Sequence, residues 1–156
     1  PHSGECGEIS AALQGIPVAI KTRIMSTALR AAARPLVVSA RAYAPRRTGA
    51  LRRSISSIIR KYRQGQIAVA IVGPDKGYYN EGKRAKKGRR GKDRPANYAH
   101  LVEFGHVGKP SGRVLARPFI RPAVLVTSSK VGESMVQGVA KGIERERARL
   151  VKSQKK

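Results

Sequence analysis

Several things are scarce in this 156-residue chain, and each scarcity excludes something. A single cysteine, Cys6, rules out an internal disulfide framework and is not by itself a catalytic signal. Tryptophan is absent, and Phe104 and Phe119 are the only phenylalanines; they are expected to anchor the core or an interface. No apolar run approaches 18 residues, so no segment reads as a membrane-spanning helix. Acidic residues number 9 against 33 Lys and Arg, for a formal net charge of +24. Leu, Ile, Val and Phe together are 35 residues, barely above the level at which a highly charged chain stays unfolded. The expectation is one domain with a modest core, carrying basic segments that do not fold alone. At this length a chain buries roughly 70% of its unfolded surface, so neither a disulfide nor a metal is required.

The positive charge attracts polyanions and gives encounter rate rather than sequence specificity. It is uneven. Between Lys83 and Arg94 there are eight Lys or Arg and one Asp, with Gly88 and Gly91 and no large apolar residue. Such a stretch cannot pack, and its like charges push it open. Lys83, Arg84, Lys86, Lys87, Arg89, Arg90, Lys92 and Arg94 are therefore the candidates for contact with DNA or another anion. Extended, those 12 residues reach about 40 Å. From Lys141 to Lys156 seven Lys or Arg outweigh two Glu, which predicts a charged, frayed end.

Hydrophobic spacing gives the elements. Residues 1–14 read as a flexible arm, 15–145 as a single α+β domain with a basic insertion at 75–96, and 146–156 as a basic tail. Pro17 suits a first helical turn, and Ile20, Ile24, Ala28, Ala31 and Ala32 recur at helical spacing. Pro35 is expected to kink this long N-terminal helix, and Pro45 to end it. Arg46 to Ala50 reads as a turn pivoting on Gly49. Two β-rich runs around Gln64-Gly65-Gln66 read as an antiparallel hairpin over about 52–73, with a further strand expected later. Tyr98, Leu101, Val102 and Phe104 give a short middle helix that Gly105 stops. After Pro118 a long C-terminal helix follows, interrupted by Gly132, Gly138 and Gly142, which mark close helix contacts or a partner surface. The fold class is α+β, with these helices packed on a small antiparallel sheet.

Little supports catalysis or a cofactor. Gly77 to Arg84 has phosphate-loop spacing up to Lys83, but Arg84 stands where a Ser or Thr must reach magnesium. His100, Glu103 and His106 form H-x-x-E-x-x-H, yet the third ligand falls about 120° around the helix from the first, and Gly105 breaks the helix before it. Glu144 and Glu146 each precede an arginine by three residues and read as helix-surface charge pairs. The chain is read as a non-enzyme with no catalytic residue, metal or cofactor.

Three segments carry a stronger signal in combination. They are Ala44-Pro45-Arg46-Arg47-Thr48-Gly49-Ala50-Leu51-Arg52-Arg53-Ser54-Ile55, then Tyr98-Ala99-His100-Leu101-Val102-Glu103-Phe104-Gly105, then Ala116-Arg117-Pro118-Phe119-Ile120-Arg121-Pro122-Ala123. In this order the chain resembles the gene-product-ten family of neck and tail-completion proteins of long-tailed bacteriophages related to lambda, over roughly residues 17–145. The resemblance implies a structural virion protein at the head–tail junction, made in the host cytoplasm and assembled into a ring that lets DNA pass. It implies a ring of about six copies rather than about twelve. Its neighbours would be head-closure or connector proteins and tail-terminator or tail-tube proteins, with packaged double-stranded DNA as a further contact and no membrane. Pro45, Gly49, Leu51, Tyr98, Glu103, Phe104 and Gly105 are carried over as motif or interface residues, as are Arg117, Pro118, Phe119 and Pro122. Glu103 is expected to pair with Arg117 or Arg121 of its own chain or of a neighbouring copy. The alternative, from charge alone, is a free-standing nucleic-acid binder associated with ribosomes or the nucleoid.

Overall fold

The computed structural model describes residues 17–78, 94–108 and 112–154. The arm and the cations from Lys83 to Lys92 lie outside the described residues. The element order is α1 (Val18–Tyr43), α2 (Ala50–Ser54), β1 (Ile55–Tyr62), β2 (Ile67–Pro74), α3 (Pro95–Phe104), β3 (His106–Gly108), β4 (Gly112–Val114) and α4 (Ile120–Gln154). Long helices at both ends and small antiparallel sheets between them make it an α+β domain.

α1 and α4 pack as an antiparallel pair. Small residues let the two backbones approach: a Cβ on Gly138 would sit 2.6 Å from Ala28 Cα, and one on Gly142 would sit 3.1 Å from Ile24 Cα. Gly132 faces open space. Ile24, Ala28 and Val139 are buried in this seam. Its far end is closed by Glu146, which bridges Arg23 at 3.0 Å and Arg149 at 3.0 Å. α1 runs through Pro35 as one helix, and α4 continues to Gln154 where charge alone predicts a frayed end.

The first hairpin is shorter than its sequence pattern suggests. Residues 50–54 form the helix α2, because Gly49 at φ +68° turns the chain into a helical start and Leu51 and Ser54 then bury. β1 begins at Ile55 and pairs with β2 from Ile55↔Pro74 to Tyr62↔Ile67. Thr22 Oγ1 donates to Gly65 O at 2.8 Å, tying the hairpin tip to α1. One face of the hairpin packs on α1. On the other face Ile58, Tyr62, Ile67, Val69 and Ile71 remain exposed. The expected further strand does not join this sheet. It is instead a separate short hairpin, β3–β4, with His106↔Val114 and Gly108↔Gly112 paired. None of the described helices is long and apolar enough to cross a membrane.

Candidate functional site

The segments singled out in the sequence meet in one place. Ala44, Leu51 and Ile55 from the first, Ala99 from the second, and Phe119 and Ala123 from the third form a single buried cluster with Ala40. Tyr98, Val102 and Ile120 pack against its edge. Phe119 is fully buried, whereas Phe104 is 63% exposed, so the two phenylalanines divide between core and surface.

Glu103 joins the second and third segments. A helix start leaves several backbone N–H groups without helical acceptors, and its dipole favours a negative charge there. The buried Glu103 carboxylate supplies both. Phe119 N and Ile120 N donate to Oε2 at 2.8 and 3.1 Å, and Arg121 N donates to Oε1 at 3.1 Å. Burial alone would push this carboxyl up. The three backbone donors, with the nearby Arg121 charge, outweigh it and hold the group below its ordinary value. Within the chain, the expected side-chain pair with Arg117 or Arg121 is thus replaced by backbone amides, since the start of α4 has more need of an acceptor than an exposed guanidinium has. Arg117 contributes its N–H to Val102 O at 2.8 Å. The Arg121 guanidinium lies 5.1 Å from the centre of the Phe104 ring.

Gly105 lies at φ +75°, and a Cβ there would meet Val114 O at 2.7 Å and Ala116 N at 2.9 Å. Only glycine lets the chain leave α3 this close to the strand returning toward α4. Pro118 precedes α4 and is exposed, while Pro122 stands half-buried in its first turn. The H-x-x-E-x-x-H residues are divided: His100 is exposed on α3, Glu103 is bound to the start of α4, and His106 lies beyond Gly105 on β3.

Above the cluster opens a cleft of about 780 Å³. Pro45, Leu51, Tyr98 and Val102 line it, with Leu101, Val114 and Leu115 extending the apolar wall. Arg47 and Arg117 supply cations at its edge beside the His106 imidazole, and among the described residues no acid lines it. Leu115, which lines it, is 75% exposed, and Val107, next to His106 on β3, is 83% exposed. Of the motif or interface residues carried over from the resemblance, Pro45, Leu51, Tyr98 and Arg117 reach this cleft. Glu103, Gly105 and Phe119 do not line it; they hold together the elements that do. Arg94, the one described cation of the basic stretch, precedes Pro95 at the start of α3.

A second, smaller pocket of about 500 Å³ lies beside the same turn, lined by Arg41, Arg46, Gly49, Arg52 and Arg53. Sequence alone does not group its arginines, which are spread across α1, the turn and α2. The paired arginines flanking Thr48-Gly49 were the available signal.

Residues 8–105 match the family model described as "Bacteriophage HK97-gp10, putative tail-component". Neither the curated proteins nor the solved structures yield a match. The matched stretch takes in the first two segments, and the third is bound to them by Glu103 and the shared core. The chain is a member of the HK97-gp10 family of bacteriophage tail components.

Proposed function

We propose that this tail component forms a ring at the head–tail junction, joins tail to head, and surrounds the path of the DNA. The observation that carries the reading is the open apolar cleft built where all three segments converge. A monomer of this size gains nothing from leaving Leu115 in water on such a cleft, or Val107 and Phe104 exposed elsewhere on its surface; exposed apolar surface of this kind serves contacts with other subunits. A ring with one repeated contact is heterologous, so it needs two different patches on each subunit. The cleft is one. The exposed face of the β1–β2 hairpin, with Ile58, Val69 and Ile71, is suited to be the other.

The charge has a use in this arrangement. The cations from Lys83 to Arg94 and those near the end of α4 serve to hold anionic surfaces, either the passing duplex or an acidic neighbouring ring. The reading as a free nucleic-acid binder rests on the same +24 charge and has no account of the cleft.

The test is particle assembly with this chain deleted, imaged by electron microscopy. The proposal expects filled heads without tails, or heads and tails that separate on purification, and an added density ring at the neck in particles with the chain restored. Normal virions from the deletion refute it.

A further inference from the structure

The cleft is apolar inside and cationic at its edge. Leu51, Leu101, Val102 and Leu115 form the wall, and Arg47 and Arg117 stand exposed at the rim. An apolar segment flanked by acids fits such a surface. Four segments lie outside the described residues, and their sequences differ in this respect. Residues 109–111 are Lys-Pro-Ser and 155–156 are Lys-Lys. Residues 79–93 hold seven Lys or Arg against Glu81 and Asp93, and no Leu, Ile, Val or Phe. Residues 1–16 hold Glu5 and Glu8 and no Lys or Arg, with Ile9, Leu13 and Ile16 close behind the acids. The first Lys or Arg of the chain is Lys21, and no later stretch without one is as long. The N-terminal segment is thus the part of this +24 chain whose charge and apolar content complement the cleft.

Its reach decides whose cleft it enters. Pro17 precedes α1 at one end, and the cleft lies past the other end, at Pro45. α1 has 26 residues and is therefore about 39 Å long. Leu13 stands four residues from Pro17 and Ile9 eight, which at full extension reach about 14 and 28 Å. Neither spans α1 to the cleft of its own subunit, whereas the cleft of an adjacent copy is open to both. The start of α1 is also where the hairpin tip is tied, by Thr22 Oγ1 to Gly65 O. The segment therefore joins the domain beside Tyr62 and Ile67, at the end of the exposed hairpin face, and is continuous with that patch.

We propose that residues 5–13 of one copy dock into the cleft of the next copy, with Ile9 and Leu13 against the apolar wall and Glu5 and Glu8 against Arg47 and Arg117. The hairpin face and this segment then make one side of a repeated heterologous contact, and the cleft makes the other. The inference rests on the reading of the cleft as a contact between subunits. Its test needs no particle, so normal virions from a deletion leave the self-association result standing, and failure of the exchange leaves head–tail joining to the deletion.

The experiment is analytical ultracentrifugation of the purified full chain over a concentration series. The parent is compared with Glu5→Lys/Glu8→Lys, with Arg47→Glu/Arg117→Glu, and with all four changes together. Net charge alone moves the two double variants in opposite directions, because one adds cations to a chain at +24 and the other removes them. The proposal instead expects both to weaken self-association, by roughly tenfold or more in Kd, and the four changes together to restore it close to the parent's. Melting temperatures unchanged across the set show the fold intact. A second readout leaves these charges in place. Under mild oxidation Leu115→Cys should form a disulfide with Cys6 of another copy, seen as dimers and larger species on a non-reducing gel, and Cys6→Ser should abolish it. Leu125→Cys, 78% exposed on α4 and not lining the cleft, should give no such species. A parent that stays monomeric overturns the exchange. So do double variants that respond with opposite signs and no rescue, a disulfide closed within one chain, or cross-links that persist in Cys6→Ser, which would set two clefts face to face.

Discussion

Replacing Glu103 by glutamine tests whether one carboxylate holds the start of α4 to α3. The change keeps the side chain's shape and removes its charge. Three backbone N–H groups lose a charged acceptor, and the amide NH2 of glutamine cannot accept from any of them. Hydrogen bonds to charged groups are worth about 1.5–3 kcal/mol, and loss of a helix cap about 0.5–2 kcal/mol. One or two of the three bonds survive on the remaining oxygen, so the net loss at neutral pH should be about 2–4 kcal/mol. For a domain of this size that lowers the melting temperature by roughly 5–10 °C. The pH dependence gives a second reading. The folded-state pKa of Glu103 is lowered from the ordinary 4.5, so in the window below 4.5 the unfolded chain binds more protons than the folded one. The carboxylate's contribution is complete above that value and disappears as pH falls through the folded-state value. Urea unfolding of parent and variant across this range should therefore show a stability gap that is widest at neutral pH and closes on acidification. A gap that is the same at every pH, or smaller than about 1 kcal/mol at neutrality, refutes the assignment.

Two glycines of α4 should respond to alanine with opposite signs. Gly132→Ala meets nothing within 4 Å and should stabilise by about 1 kcal/mol through helix propensity, whereas Gly138→Ala forces a Cβ against Ala28 and should lose a net ~1–2 kcal/mol; thermal melts of the pair decide it. Gly105→Ala combines positive-φ strain with a clash on Val114 O and should lower stability by about 2–4 kcal/mol, read as a shift in the denaturant midpoint. Leu115→Asp, at a 75% exposed position on the cleft, should leave melting unchanged while reducing the yield of joined heads and tails in a complementation assay. A variant that assembles normally would remove the cleft from the interface.

The long helices were legible because their apolar residues repeat at helical spacing over many turns, as at Ile20, Ile24, Ala28 and Ala32. The stop at Gly105 was legible because few conformations end a helix so sharply. The boundary at Ile55 was not, since Leu51 to Ile55 reads equally as alternating strand or as a helical turn, and burial of Leu51 and Ser54 against the core decides it. β3 and β4 are three residues each, too short for periodicity to register. The role of Glu103 was half legible. A lone acid among so many cations suggests an ion pair, but its true partners are backbone amides 16 to 18 residues away, which carry no side-chain signature. The arginine pocket was hidden for a related reason: its members are distant in sequence and converge only once α1 passes behind α2.

Residues 79–93, which lie outside the described residues, connect β2 to α3, and both of those elements are held by one cluster through Val72 and Ala99. Chain closure between two fixed anchors rises only as the logarithm of loop length, by about 0.6 kcal/mol per doubling. Relatives can therefore lengthen, shorten or recharge this segment with little penalty to folding. Selection on a host or a genome can act there without disturbing the shared scaffold.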